Sequence, residues 1–481
     1  MADWAPHRQR EAALAAAEAQ AAADPDAVAP RFARACLLDD LGRPAEAQAA
    51  YLEVLTRAPE HLGALCRLGN LLLATGRLDA AETAYREAIA RHPGDPAAWV
   101  NLGNLLLEAG DPAAARDRFE GALRLDGDLP EAHQGLARAL DGLGQPAAAE
   151  CHRRVGYGAR PLLTLPYRGA AAPVPVLVLA SAAPGNVPVR ALLDDRIFLS
   201  SVVITEYFDP EAPLPPHAVV LSAIGDADAC GRALEAAAHL LERTAAPVIN
   251  PPAAVLPTAR PDNARRLGRL RGVTAPPCAS LPRDLVDAGA LARIGLPWPV
   301  LVRTPGFHGG NFLLRADAPG DLPGALARLP GDQVTVTAFV DTRAPDGWVR
   351  KYRAMLVDGR IYPAHLAISR DWNVHYASSE TAARPELAAE EATYLRDMAG
   401  ALGARAMDAL AAVSRTLALD YGGIDFALRP DGGIVVFEAN ATMVAEPAGA
   451  GAADPRRELA ERVRAAVREM VLRRAGAAQA S

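Results

Sequence analysis

Residues 96–129 read PAAWVNLGNLLLEAGDPAAARDRFEGALRLDGDL. Trp99, Leu102, Gly103 and Leu106 fall on one helical face before Gly110, and Ala115, Phe119 and Ala122 on another after it. The stretch is therefore read as two short antiparallel helices. A glycine ends the first of them in a conformation that other residues resist. The preceding residues 62–95 repeat the pattern with Leu65, Leu68, Gly69, Leu72, Ala81, Tyr85, Ala88 and Pro93. Further out, Gly42, Gly76, Gly110 and Gly144 recur with a period of 34, as do Ala47, Ala81, Ala115 and Ala149. Tyr51, Tyr85 and Phe119 keep the same step.

This period with these residues resembles the tetratricopeptide repeat (TPR). Units are expected at 28–61, 62–95, 96–129 and 130–163, within an all-α solenoid over residues 1–160. Small residues let the helices approach, the aromatic fills the gap beside them, and stacked units share a core and leave a concave face. The end units depart from the pattern. Arg31 and Arg34 stand at usually apolar places, and Arg153 replaces the aromatic with Gly156 close behind. These read as capping units, with Glu11 to Ala23 as a preceding helix. Residues 1–160 hold 17 basic and 23 acidic residues, a net of −6 out of −7 for the chain. The concave face is expected to dock a peptide or protein.

A length of 481 residues points to two to four domains. The net charge of −7 argues against a nucleic-acid partner. Of 50 basic residues only Lys351 is a lysine, which excludes a Walker A loop and leaves one possible Schiff base. Five cysteines without a CxxC pair disfavour a zinc site or disulfide framework, and a cytoplasmic setting is expected. No signal peptide or membrane-spanning stretch is read.

Gly156, Gly158, Pro161, Pro166, Gly169 and Pro173 mark a linker over 155–173. Val174 to Leu179, Ile197 to Thr205, Ala218 to Leu221 and Pro247 to Ile249 read as strands, with a helix over Asp228 to Arg243. That alternation implies a mostly parallel sheet in an α/β subdomain at 174–275. After Pro276, Val300 to Arg303, Val334 to Val340, Tyr352 to Val357 and Arg360 to Ala364 read as strands. Asp358-Gly359 supplies a hairpin turn. Glu390 to Leu419 reads as one long helix. Gly423 to Leu428 and Ile434 to Glu438 form a final hairpin around Pro430-Asp431-Gly432-Gly433.

The final hairpin carries the strongest chemistry. Asp425 lies on one strand, and Glu438 and Asn440 share a face of the other. Two carboxylates and an amide oxygen suit a hard cation such as Mg²⁺. A second piece is VLVRTPGFHGGN, residues 300–311, in which a strand ends in Arg303. Its Gly309 and Gly310 let backbone N–H groups approach a phosphate.

These parts, together with VTAFVD (336–341), RKYRAMLVDGRIYP (350–363) and GGIDFALRPDGGIVVFEANATM (422–443), resemble the ATP-grasp superfamily over roughly 173–445. The pattern is most similar to ribosomal-protein-S6-modifying glutamate ligases and glutathione synthetases. The resemblance implies a multidomain chain: the TPR solenoid, an α/β pre-ATP-grasp subdomain at 174–275 and an α+β ATP-grasp fold at 276–475. It implies ATP and Mg²⁺ as cofactors, with Asp425, Glu438 and Asn440 as metal ligands. Arg303 matches a nucleotide-contacting lysine, and Arg260, or next Arg265, the other phosphate-side lysine. Ala338 and Val340 would lend backbone groups to adenine, and Asp341 would reach the ribose. Arg353 matches an arginine that binds the transferred phosphoryl group or acyl-phosphate.

Lys351 stands where the glutamate ligases carry an acidic residue, and it is expected beside Arg353 at the reaction centre. The polar, aromatic stretch 365–379, with His365, Arg370, Trp372, His375 and Tyr376, is read as a loop forming the substrate pocket; His308 is a further candidate. The resemblance implies an ATP-dependent carboxylate–amine or thiol ligase acting through an acyl-phosphate, on a small-molecule or peptide carboxylate. A nucleotide-binding scaffold without catalysis and a kinase-like activity are the alternatives.

Overall fold

The structure, a computed structural model, describes residues 5–307, 312–445, 454 and 456–479. The chain forms two compact units: residues 1–176 with 193–216, and residues 177–192 with 217–481.

The first unit begins with helices α1 (Ala5–Ala23), α2 (Val28–Asp40), α3 (Pro44–Arg57), α4 (Leu62–Ala74), α5 (Leu78–Arg91), α6 (Pro96–Glu108), α7 (Pro112–Leu125), α8 (Pro130–Gly142) and α9 (Pro146–Ala159). Local chemistry sets their ends. Asp95 and Asp111 cap α6 and α7 by accepting from Ala97 N and Ala114 N, both at 2.9 Å. Between paired helices Gly42, Gly76, Gly110 and Gly144 adopt φ of 70°, 76°, 81° and 72°, which accounts for their 34-residue recurrence. Tyr51, Tyr85 and Phe119 are fully buried. A Cβ built on Gly135 would come within 2.1 Å of the Phe119 ring, so α8 packs at a distance that only glycine permits.

Two of the three arginines at apolar positions, Arg31 and Arg153, are buried and bonded, and Arg34 is half-buried beside Glu53. Arg31 donates to Ala27 O at 2.6 Å, Ala21 O at 3.1 Å and Glu53 at 3.0 Å. Arg153 donates twice to Asp141, at 2.9 and 2.7 Å, and to Glu150 at 2.9 Å. The expected linker is ordered at both ends. Helix α9 runs on to Ala159, because Gly156 lies against α8, where a Cβ would be 2.9 Å from Pro130 O. Strand β1 (Leu162–Thr164) follows, then β2 (Val174–Ala180) and β3 (Phe198–Ile204); β1 and β3 pair antiparallel. The segment after the last repeat helix is bonded to the first repeat. Arg168 Nε donates to Asp39 O at 3.1 Å, Arg196 Nη2 to Gly42 O at 3.1 Å, and Arg10 Nη1 to Tyr167 O at 2.7 Å.

In the second unit β4 (Val219–Ser222) and β5 (Val248–Ile249) pair in parallel, with the helix Gly231–Leu241 between them in sequence. The strands β6 (Val273–Thr274), β7 (Cys278–Pro282), β8 (Val300–Arg303), β9 (Leu313–Ala316), β10 (Gln333–Ala338), β11 (Val349–Val357), β12 (Arg360–Ser369), β13 (Tyr421–Leu428) and β14 (Ile434–Asn440) build two sheets. One is antiparallel with order β7-β10-β8-β9. The other has order β12-β11-β13-β14-β6, with β6 alone parallel to its neighbour.

Two expectations are corrected. The stretch 390–419 is three helices, Pro385–Arg396, Met398–Leu402 and Ala404–Leu417. Asp397 caps the second by accepting from Gly400 N at 2.9 Å, and Gly403 at φ 79° separates the second from the third. Residues 365–369 are not loop: β12 continues through Ser369, paired with β11 as far as Val349.

Candidate functional site

The β7-β10-β8-β9 sheet is two-faced. Val300, Val302, Val334 and Val336 are buried in one apolar cluster with Leu291 and Leu322. The alternating residues Leu301, Arg303 and Thr337 line a cavity of about 520 Å³. Across it lie Lys351 and Arg353 of β11, Asp425 of β13, and Phe437 and Glu438 of β14. The volume falls in the range of small-molecule sites.

The second sheet presents a polar row at one register. His365 pairs with Arg353, Arg353 with Asp425, and Asp425 with Glu438, so four adjacent strands each contribute one residue. Register shifts fall beside this row, between Arg353 and Ala354 and between Asp425 and Phe426. Such bulges re-aim side chains at the point where they occur.

The charges pair across the row. Arg353 donates to both oxygens of Asp425, at 2.7 and 2.9 Å, and Lys351 Nζ lies 3.7 Å from Asp425 Oδ2. Burial disfavours a charged Asp425, but the Arg353 and Lys351 charges outweigh it and hold the carboxyl well below the usual range. Arg260 reaches Glu438 Oε1 at 2.6 Å and Asp228 at 3.7 Å. Asn440 donates from Nδ2 to Glu438 Oε1 at 2.9 Å. Its Oδ1 accepts from Thr442 N at 3.0 Å and Thr442 Oγ1 at 2.8 Å.

Arg303 is differently placed. Its Nη2 donates to Phe307 O, but its buried Nε has no partner among the described residues. Burial, and then the charge of Arg260, push this guanidinium down to about 10. Arg118 and Arg315 also carry an unpaired buried Nε, but of the three only Arg303 lines the cavity, where an anion could complete its bonding.

Of the residues singled out from sequence, Arg260, Arg303, Ala338, Val340, Asp341, Lys351, Arg353, His375, Asp425 and Glu438 line this one cavity. Asn440 lines a smaller adjoining pocket with Asn263 and Cys278. Gly309, Gly310 and His308 lie outside the described residues. Arg265 is exposed and pairs with Asp262, away from the cavity. Arg370 is also elsewhere: exposed, stacked 3.9 Å over the Trp348 ring and bonded to Asp346 O. His365 does not line the cavity. It packs on Tyr376 with ring centroids 5.0 Å apart, and burial, then Arg353, push it down to about 3. Burial and the charge of Lys351 hold His375 below the ordinary range, so it stands neutral at pH 7.

Trp372, expected in the substrate pocket, lines the cavity as well; sequence reasoning missed Phe437, Thr337 and Asn186 as lining residues, and Asp228 as a partner of Arg260. Phe437 had a readable signal, a large apolar side chain beside Glu438 that remains 41% exposed. Asp228 had none, since its role depends on a residue 32 positions away.

Oxygen donors from Asp425, Glu438 and Asn440 fit a hard cation by type. In this arrangement Asp425 and Asn440 already spend their oxygens on Arg353 and Thr442. Among the described residues no group of three His, Cys, Asp or Glu stands ready for a metal by itself.

Family profiles for the tetratricopeptide repeat match residues 32–96, 84–117 and 106–150. The N-terminal helices are thus TPR repeats, a class that binds peptides or proteins. No curated protein matches the chain. Among solved structures the chain is similar to a MamA fragment from Desulfovibrio magneticus RS-1, at 23% identity over 30% of this chain and 81% of that one, with a TM-score of 0.28. It is also similar to YrrB, a TPR protein, at 18% identity over 30% and 75%, with a TM-score of 0.28. A third is a thermophilic TPR protein of Thermus thermophilus, at 21% identity over 32% and 84%, with a TM-score of 0.29. Among the described residues no helix is long and apolar enough to cross a membrane.

Proposed function

We propose that the second unit is an ATP-dependent carboxylate–amine or thiol ligase of ATP-grasp type, and that the TPR array docks its peptide or protein substrate. One observation carries the reading. Residues widely separated in sequence (Arg260, Arg303, Ala338 to Asp341, Lys351, Arg353, Asp425 and Glu438) line a single cavity between two sheets. Their chemistry suits two anions that must meet.

In this reading Arg303 and Arg260 hold the phosphates of ATP, and the unpaired Nε of Arg303 gains its acceptor. Ala338 and Val340 border the base and Asp341 the ribose. Asp425, Glu438 and Asn440 would hold Mg²⁺, which would supply charge neutralisation at the γ-phosphate. Arg260 then turns from Glu438 to phosphate oxygens, and Arg353 from Asp425 to the reacting carboxylate and the acyl-phosphate it becomes. The substrate carboxylate attacks the γ-phosphorus, its O–P bond forms as the bond to ADP breaks, and an acyl-phosphate results. An amine or thiol attacks the acyl carbon, phosphate leaves, and the nucleophile's proton passes to solvent. Arg353 faces the anionic tetrahedral centre.

The test is an ATP-dependent hydroxamate trap over a panel of acids. Hydroxamate and phosphate formed together, and lost in Asp425→Asn, support the ligase. Full turnover in Asp425→Asn removes Asp425 from the chemistry and overturns the assignment. Mg·ATP binding without hydroxamate from any acid favours a scaffold.

A further inference from the structure

Lys351 is a cation in excess at its end of the cavity. Its side chain is only 15% exposed, yet its Nζ makes no hydrogen bond among the described residues. The nearest acid is Asp425, at 3.7 Å, and both oxygens of that carboxylate are already taken by Arg353. One carboxylate thus faces two cations. Lys351 lines the cavity with its donors unspent among the described residues, and a largely buried ammonium sharing its one carboxylate calls for a further anionic partner. His375 lines the same cavity and, neutral, adds no second full positive charge beside Lys351. Val349, Val374 and Trp372 complete an apolar and aromatic lining.

Resting on the ligase reading, we propose that the acid substrate carries a second anionic group, and that Lys351 holds that group while Arg353 holds the reacting carboxylate. Lys351 Nζ and Arg353 Nη2 both approach Asp425 Oδ2, at 3.7 and 2.9 Å, so the two charged ends stand no more than roughly 6–7 Å apart, about two residues' rise along β11. That separation matches the carboxylates of a diacid of about five or six carbons, given C–C bonds of about 1.5 Å. The intervening methylenes would face the apolar side of the cavity, to which Val374 and Trp372 contribute. A monoacid of the same length would leave Lys351 without its partner.

The experiment is calorimetric titration of the full chain, in the presence of Mg·ADP, with glutarate, adipate and butyrate. Glutarate or adipate is expected to bind wild type at least about tenfold more tightly than butyrate, the scale of one charge-assisted hydrogen bond. The preference should vanish in Lys351→Gln and survive in Lys351→Arg, a rescue that a merely structural role would not show. Equal binding of the diacids and butyrate overturns the proposal, as does a preference that persists in Lys351→Gln. Phosphate release with ATP and hydroxylamine is read separately. A diacid preference without any phosphate release upholds the recognition by Lys351 and overturns the ligase reading. Phosphate release without a diacid preference does the reverse.

Discussion

Arg353 and Asp425 stand directly opposite each other on β11 and β13 and are joined by two hydrogen bonds, of 2.7 and 2.9 Å. The Asp425 side chain is 4% exposed, so the pair exists in a setting where one charge without the other is costly. Arg353→Ala is expected to lower unfolding stability by about 3–5 kcal/mol. The double variant Arg353→Met with Asp425→Leu should lose less than the two single variants together, because neither member of the pair is left facing the gap of the other. Denaturant unfolding of the three variants checks this. Strictly additive losses would mean the pair is not coupled.

The same pairing bears on metal affinity. Because Arg353 and Arg260 already neutralise Asp425 and Glu438, Mg²⁺ alone has to displace two arginines to reach its oxygens. No calorimetric heat of binding is expected from Mg²⁺ without nucleotide at low millimolar concentration, and clear binding is expected from Mg·ATP. Tight binding of the free ion would contradict this arrangement.

Arg303 separates binding from stability. Its guanidinium is buried, lacks a partner at Nε and lies close enough to Arg260 to be repelled by it. Arg303→Met is expected to leave the melting temperature equal or higher, because a desolvated, incompletely hydrogen-bonded cation beside Arg260 is removed. ATP affinity should fall at least about tenfold in the same variant. Paired melting and titration data check both halves; a destabilised variant with unchanged affinity would assign Arg303 a structural role.

Two glycines of the last repeat make opposite predictions. Gly135→Ala places a methyl group 2.1 Å from the fully buried Phe119 ring, and about 1–3 kcal/mol of destabilisation is expected from overpacking. Gly158, near the end of α9, has nothing within 4 Å of a built Cβ. Gly158→Ala is expected to be neutral or to stabilise by up to about 1 kcal/mol. Thermal melts of both variants decide, and equal effects would contradict the packing described.

The repeats were legible because each 34-residue unit must solve the same steric problem. Gly42, Gly76, Gly110 and Gly144 recur for their φ values, and Tyr51, Tyr85 and Phe119 for the gap each fills. The β13–β14 hairpin was legible from its Pro-Asp-Gly-Gly turn and from charges inside apolar strands. What escaped was non-local. The pairing of Arg353 with Asp425 joins residues 72 positions apart, through a register set beside two bulges. Arg370 is drawn from the cavity by Trp348, a ring 22 positions earlier in the chain. The split of the 390–419 helix rests on Asp397 and Gly403, whose capping geometry an alanine-rich pattern conceals.

The bonds from Arg168 to Asp39 and from Arg196 to Gly42 return the chain to its first repeat soon after α9 ends at Ala159. Solenoids ordinarily gain and lose units freely, since each touches only its neighbours. Here the stretch from Arg160 to Arg168 reaches at most about 29 Å. One more pair of helices, each about 8–10 Å across, would have to be accommodated within that fixed reach. The closing segment therefore ties the copy number of this array to its own length: duplication of a unit, harmless in an open solenoid, would here draw on whatever slack that segment has.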